Sequence, residues 1–284
     1  MDRRADAGPR DAVLGAPPRS RESRDERHAR RIEQLAQTPG FKRLRDEIIA
    51  LAELAGSQRV LDIGAGTGLL TLAAAPRVAH VTAVDLSPGV CRRLEARASE
   101  LELANVSVAI ADARDLPLPS RSIDLALSNY CLHHLNDSDK RVALGEIARV
   151  LRPGGEFVLG DMMFNLGLRT ARDRRVGARI AFAMIRRGPL GLLRLLRNIL
   201  KTLLAPSEWP ASVDWWDQAL RDSGFCDVQV VALEHEGGIA RARRADDARS
   251  ARADSLSAPP PLSQPLPGGS RPPGPLFTRS GSSL

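Results

Sequence analysis

The chain has 284 residues, of which 43% are apolar and 26% charged, an ordinary balance for a folded globular protein that excludes a fibrous or wholly disordered chain. The formal net charge is +7, yet residues 164–204 carry ten basic side chains against one acidic, while residues 45–163 carry twelve against sixteen. The basicity is local, and without interleaved aromatic residues it does not point to nucleic acid. Apolar runs fall short of the ~18–20 residues a membrane span needs, and the N-terminus lacks the apolar core of a secretory signal. Cys91, Cys131 and Cys226 are dispersed and odd in number, against a disulfide framework or a zinc cluster. The expectation is a cytoplasmic protein that holds no metal.

In chain order, residues 1–30 are rich in Arg, Asp and Pro and are expected to form a solvated tail, as is the Ser/Pro-rich stretch 245–284. Between them, 31–244 alternates in period. Helical spacing at 41–55 is followed by a short buried-strand run at 59–63, a helical stretch at 69–75 and a strand at 80–85. Ser87-Pro88 opens the next helix, with Ser as N-cap and Pro in the first turn. Strands are predicted at 106–112 and 122–129, a helix at 138–151, a turn at Arg152–Gly155 and a strand at 156–162. After a basic insertion, 212–225 reads as a helix closed by Gly224, and 228–234 with 238–244 as a hairpin. Strands alternating with helices predict a doubly wound, mostly parallel α/β sheet.

The first strand runs into Gly64-Ala65-Gly66-Thr67-Gly68 and then a helix. The first βα turn of such a sheet is where a nucleotide-type ligand binds, and glycines let it approach the backbone. Asp85 closes the second strand, where an acid can accept from both ribose hydroxyls. Asp112 closes the third, where a carboxylate can reach an adenine amino group. A dinucleotide fingerprint would place its third glycine one residue beyond Gly68, and the turn carries Asp62 in place of a basic residue. These features favour a ligand with a cationic end over a diphosphate and argue against a nicotinamide-dependent reductase.

With these residues in view, 33–244 resembles the class I S-adenosylmethionine-dependent methyltransferases of the small-molecule type. Asp62 through Gly68 resembles the family's first motif, Asp85 with Leu86 its ribose acid, and Asp112 with Ala113 its adenine contact. Ser128 through Leu135, including Asn129, resembles the fourth-strand segment beside the methionine and the transfer centre. The resemblance implies a Rossmann-like seven-stranded sheet of order 3-2-1-4-5-7-6, S-adenosylmethionine as cofactor and a small-molecule acceptor. It implies a cofactor site of Asp62, Gly64, Ala65, Gly66, Gly68, Asp85, Leu86, Asp112, Ala113 and Asn129. No [DNS]-P-P-[YF] follows the fourth strand, against amino methylation of DNA bases. Transfer is expected by in-line displacement. His133 and His134, and more distantly Asp161, are candidates for a general base; otherwise the His pair shapes the pocket and caps the next helix.

Residues 165–209 fall where such enzymes place a helical substrate cap. One helix would align Val176, Ile180 and Met184. A second would set Leu192, Leu196, Ile199, Leu200 and Leu203 against Arg194, Arg197 and Lys201. Core packing, a cap over an apolar pocket, and contact with an anionic membrane surface through 190–204 all suit that pattern. Cap or membrane contact favours an apolar acceptor such as a polyketide, a quinone-like ring or a lipid. The alternatives are a peripheral-membrane lipid or quinone methyltransferase and a non-catalytic S-adenosylmethionine-binding module.

Overall fold

The computed structural model describes residues 24–164, 171–186 and 208–246. The elements are α1 (Arg24–Ala36), α2 (Pro39–Leu51), β1 (Arg59–Ile63), α3 (Thr71–Ala74), β2 (His80–Asp85), α4 (Pro88–Glu100), β3 (Val106–Ile110), β4 (Ile123–Asn129), α5 (Asp137–Val150), β5 (Leu151–Met162), α6 (Ala171–Ile185), α7 (Val213–Asp222), β6 (Phe225–Ala232) and β7 (Gly237–Arg244). The sheet order is β3-β2-β1-β4-β5-β7-β6, as the resemblance implied. β1 to β5 pair in parallel, and β7 runs antiparallel to both β5 and β6.

The central strands are apolar on both faces because helices cover both. Val60, Val81, Leu125, Leu127 and Val158 meet Leu44 and Ile48 of α2 and Ala74 of α3. Their neighbours Leu61, Ile63, Ala126, Phe157 and Leu159 meet Leu144 and Ile147 of α5 and Trp216 and Leu220 of α7. Period-two alternation thus sends successive side chains into two separate cores. Trp216 is fully buried and Trp215 only partly, as adjacent positions on a helix require.

Several boundaries differ from expectation; β6, for one, begins at Phe225, where the preceding helix was expected to end. A helix begins at Arg24, inside the stretch read as a tail to residue 30. Its composition is polar because only Ala29 and Ala36 are buried, so it lacks a strong apolar stripe. The predicted turn Arg152–Gly155 lies within β5: pairing jumps from Ile123–Leu151 to Leu125–Glu156, a bulge that Gly154 permits at φ +76°. β3 ends at Ile110, leaving Asp112 in the following loop. Of the insertion, α6 lies at the first predicted cap helix; 190–204 lies outside the described residues, as do the tail beyond 246 and residues 1–23. No described helix is long and apolar enough to cross a membrane.

Candidate functional site

β1 delivers the glycine loop to the carboxyl edge of the sheet. Gly64, Gly66 and Gly68 have φ of +66°, +56° and +93°, a region that side-chain-bearing residues rarely enter. Gly64 is needed twice over, because a Cβ there would land on the side chain of Cys131. Between them, buried Ala65 donates its N–H to Val84 O at 3.0 Å and so ties the loop to β2. Asp85, at the tip of β2, accepts from Gly66 N–H at 3.0 Å and from Ser87 N–H at 2.9 Å. Its carboxylate therefore bridges the loop and the start of α4, while Ser87 makes no side-chain cap. Leu86, beside it, is 63% exposed, an apolar face at the carboxyl edge of the sheet.

Asp62 lies under the loop and is fully buried. Its Oδ2 accepts from Thr71 N–H at 2.9 Å and Thr71 O–H at 2.5 Å, fixing the start of α3. Burial raises its pKa from 3.8 to about 6, against the lowering effect of the Thr71 bonds. A carboxyl whose folded pKa is raised adds stability below the unfolded value and loses it as pH rises through the folded one. Asp62→Asn is therefore expected to remove a stability decline between pH 3.8 and about 6. The decline amounts to about 3 kcal/mol at most. Denaturant unfolding at a series of pH values checks this: an unchanged pH dependence refutes it.

Asp112 sits two residues beyond β3, with Ala113 packed against the core beside it. Both Asp112 oxygens are engaged by Arg114, at 3.0 Å from Nε and 2.6 Å from a terminal nitrogen, and Arg114 also pairs with Asp139 of α5 at 3.1 Å. Those bonds hold the Asp112 carboxyl below the usual carboxylate range. Two buried oxygens facing no donor stand out on the described surfaces: Thr67 Oγ1 in the loop and Asn129 Oδ1 at the end of β4.

Beyond Asn129 the chain turns sharply. Tyr130 takes φ +51°, strained for an aromatic residue, and its ring packs 4.6 Å from Phe41. The 3-10 turn Leu132–His134 then separates the two histidines. His133 is buried: its Nδ1 lies 2.6 Å from Asp161 Oδ1 and its backbone N–H donates to Asp161 Oδ2 at 3.0 Å. His134 is exposed, its ring 4.2 Å from that of His133. Burial lowers the proton affinity of His133, but the Asp161 charge and hydrogen bond outweigh it and leave the pKa raised. The helix that follows is capped by Asn136, whose side chain accepts from Asp139 N–H at 2.9 Å, so the His pair is not the cap. Cys131 is a thiol pushed upward by burial and by surrounding carboxylates.

Two features escaped the sequence reading. α1 lies along α4, with Glu33 3.2 Å from Arg93 and Ile32 close over Gly66. Arg97 in turn donates to Thr67 O at 2.6 Å, pinning the loop from the same side. Arg172 of α6 donates to the carbonyls of Met163, Leu233, His235 and Gly237 at 2.7–2.8 Å. It fastens α6 to the β6–β7 turn next to the end of β5. Neither leaves a local signal, since each is a long-range pairing of common surface residue types.

Residues 60–155 match the family model described as a methyltransferase domain. An uncharacterized methyltransferase of Bacillus subtilis, YcgJ, is 39% identical over 114 residues, 40% of this chain and 44% of that protein. The 27-O-demethylrifamycin SV methyltransferase of Amycolatopsis mediterranei is 36% identical over 124 residues, 43% of this chain and 44% of that one. The aklanonic acid methyltransferase DauC of a Streptomyces species is 33% identical over 133 residues, 46% of this chain and 58% of its own. The chain thus spans about half the length of the curated relatives it matches. Among solved structures, YcgJ superposes with a TM-score of 0.55 at 21% identity, covering 72% of this chain and 99% of its own. An S-adenosylmethionine-dependent methyltransferase from Aquifex aeolicus superposes at 0.53 and 18% identity, covering 76% and 97%. Over residues 60–155 the chain is thus similar to methyltransferase domains, and its sheet has the fold of a solved S-adenosylmethionine-dependent methyltransferase.

Proposed function

We propose that the protein transfers a methyl group from S-adenosylmethionine to a small molecule, with His133 as general base oriented by Asp161. The observation that carries this is the buried His133–Asp161 pair at the carboxyl edge of β4 and β5, two residues beyond Cys131, which packs at Gly64. The cleft suits the cofactor on its own features. Asn129 Oδ1 and Thr67 Oγ1 are buried without partners, which favours a ligand rich in donors such as an ammonium and ribose hydroxyls. The left-handed φ of Gly64, Gly66 and Gly68 shapes the loop at the carboxyl edge of the sheet, and Leu86 offers an apolar face to a purine.

In this reading Asp85 receives the ribose hydroxyls, and Asp112 with Ala113 meets the adenine, Arg114 keeping the Asp112 carboxylate ionised. Asp62 braces the loop from beneath through Thr71. When bound, S-adenosylmethionine would supply an electrophilic methyl carbon whose leaving group is a neutral thioether, open to in-line attack by the acceptor's nucleophilic atom. The chain's contribution is to hold that atom at ~3–3.5 Å and in line. With its Nδ1–H committed to Asp161, His133 has its Nε2 lone pair for the acceptor's proton. Tyr130, packed on Phe41, and the turn held by Arg172 lie on the same edge and are the apolar and backbone groups nearest to hand for the acceptor.

The relatives' names give 27-O-demethylrifamycin SV and aklanonic acid as acceptors of those proteins. They support an acceptor with a sizeable apolar body here, in line with the composition of the insertion. Calorimetric titration with S-adenosylhomocysteine tests the cofactor assignment. Asp85→Ala is expected to weaken binding at least about tenfold, about 1.4 kcal/mol. Undiminished affinity in that variant, or binding of NADH in place of S-adenosylhomocysteine, would sink the reading.

A further inference from the structure

Lys140, on α5, is fully buried, although a methionine of similar length would fill the same space without bringing a charge out of water. Its Nζ donates to Trp209 O at 2.6 Å, lies 3.3 Å from the exposed Asp137 carboxylate, and sits 5.4 Å over the Trp215 ring. The ammonium is therefore shared between a carboxylate on its own helix and a backbone carbonyl distant in sequence. That carbonyl belongs to the segment 208–210, where the chain returns from the insertion toward α7. The same residue turns its other backbone group the opposite way: Trp209 N–H donates to His133 O at 2.6 Å. One peptide segment is thus clamped between a buried ammonium and the carbonyl of the histidine whose ring and backbone are both held by Asp161.

We infer that Lys140 is a positioning residue for methyl transfer, locking the segment at Trp209 onto the His133–Asp161 pair so that the placement of that segment and the geometry of the base are set together. The inference rests on the reading of His133 as the base. A buried ammonium is weak evidence for stability but favours one register, because only one placement of Trp209 adds a 2.6 Å carbonyl bond to the pairing with Asp137. The charge also acts on the base. The groups facing His133 are Asp161 from β5, Glu208 from the returning segment, Lys140 from α5, and Tyr130 and His134 from its own turn. Asp161 and Glu208 raise its proton affinity and Lys140 lowers it. Lys140 thereby offsets part of the pull of the two carboxylates on the imidazole proton, beside the larger lowering effect of burial.

The test uses the full chain and needs no acceptor. In the wild-type protein, amide exchange at Trp209 is expected to be slowed at least about a hundredfold relative to an unprotected amide. Unprotected exchange would overturn the proposal without recourse to any variant. The His133 ring resonance, assigned by its loss in His133→Asn, is then titrated in wild type, Lys140→Met and Lys140→Arg. Lys140→Met is expected to move the His133 midpoint upward by about half a pH unit or more. It should also raise Trp209 exchange at least about tenfold, with Lys140→Arg restoring the midpoint. A folded Lys140→Met protein with an unmoved His133 midpoint would overturn the proposal. Titration of the same samples with S-adenosylhomocysteine separates the two claims: lost cofactor binding in wild type counts against the methyltransferase reading, and an unmoved His133 against the role of Lys140.

Discussion

Gly64→Ala is expected to lower the unfolding free energy by about 2–4 kcal/mol and to abolish measurable binding of S-adenosylhomocysteine. Two penalties combine. A side chain at φ +66° is strained whatever the space around it, and here the new Cβ coincides with the Cβ and sulfur of Cys131. The clash cannot be relieved by a rotamer change, because the Cβ itself is in the way; either the loop or the turn after β4 must move. Both carry the proposed cofactor contacts. The two penalties can be separated by a double-mutant cycle: Cys131→Gly removes the clash and leaves the strain, so the pair should recover about half of the loss. Denaturant unfolding of the four proteins measures it. A Gly64→Ala protein of wild-type stability would show that the loop is not packed against Cys131 at all.

Asp161→Ala is expected to cost about 3–5 kcal/mol, since the backbone N–H of His133, the ring Nδ1 and the Met162 N–H all turn to that carboxylate in a buried setting. Its pH signature is the sharper part. In the wild type the folded His133 pKa lies above the unfolded 6.5, so the pair contributes stability that is full below pH 6.5 and is lost as pH rises through the folded value. Without Asp161, burial is the dominant remaining influence and the folded value drops below 6.5. The slope then changes sign, and the variant gains stability as pH rises through that range. Unfolding free energies between about pH 5 and pH 8, with the His133 ring titrated in parallel, decide it. Parallel stability profiles for the two proteins would mean that Asp161 does not hold the imidazole.

The glycine loop was legible because its constraint is local. A strand, three left-handed positions and a helix start must follow in order, and only glycine meets the backbone demand at low strain. Asp85 and Leu86 were legible for the same reason, as the residues ending a strand whose period is visible. The partner of Asp112 was not, because Arg114 engages its carboxylate through a loop conformation that depends on where β3 stops. Of the adjacent histidines at 133 and 134, the sequence offered no means of choosing. The choice follows from β5 lying beside β4 in parallel register, with Asn129 opposite Gly160, so that Asp161 meets the turn after β4. The polar α1 escaped notice because its contacts are ion pairs with α4 and one isoleucine over Gly66, none of which imposes a period on its own segment.

By itself the sequence determined the α/β class, the alternation of elements and the loop with its acids, all of which are properties of near neighbours along the chain: backbone conformations, strand and helix periods, and residues at strand ends. The tertiary structure alone decided which histidine is buried against an acid, that Lys140 holds the segment at Trp209, and that Arg172 gathers four carbonyls from two parts of the chain. Those outcomes depend on groups dozens of residues apart being brought within hydrogen-bond distance by sheet order and burial. Removal from water then gives such pairs an energetic weight that no reading of local composition can assign.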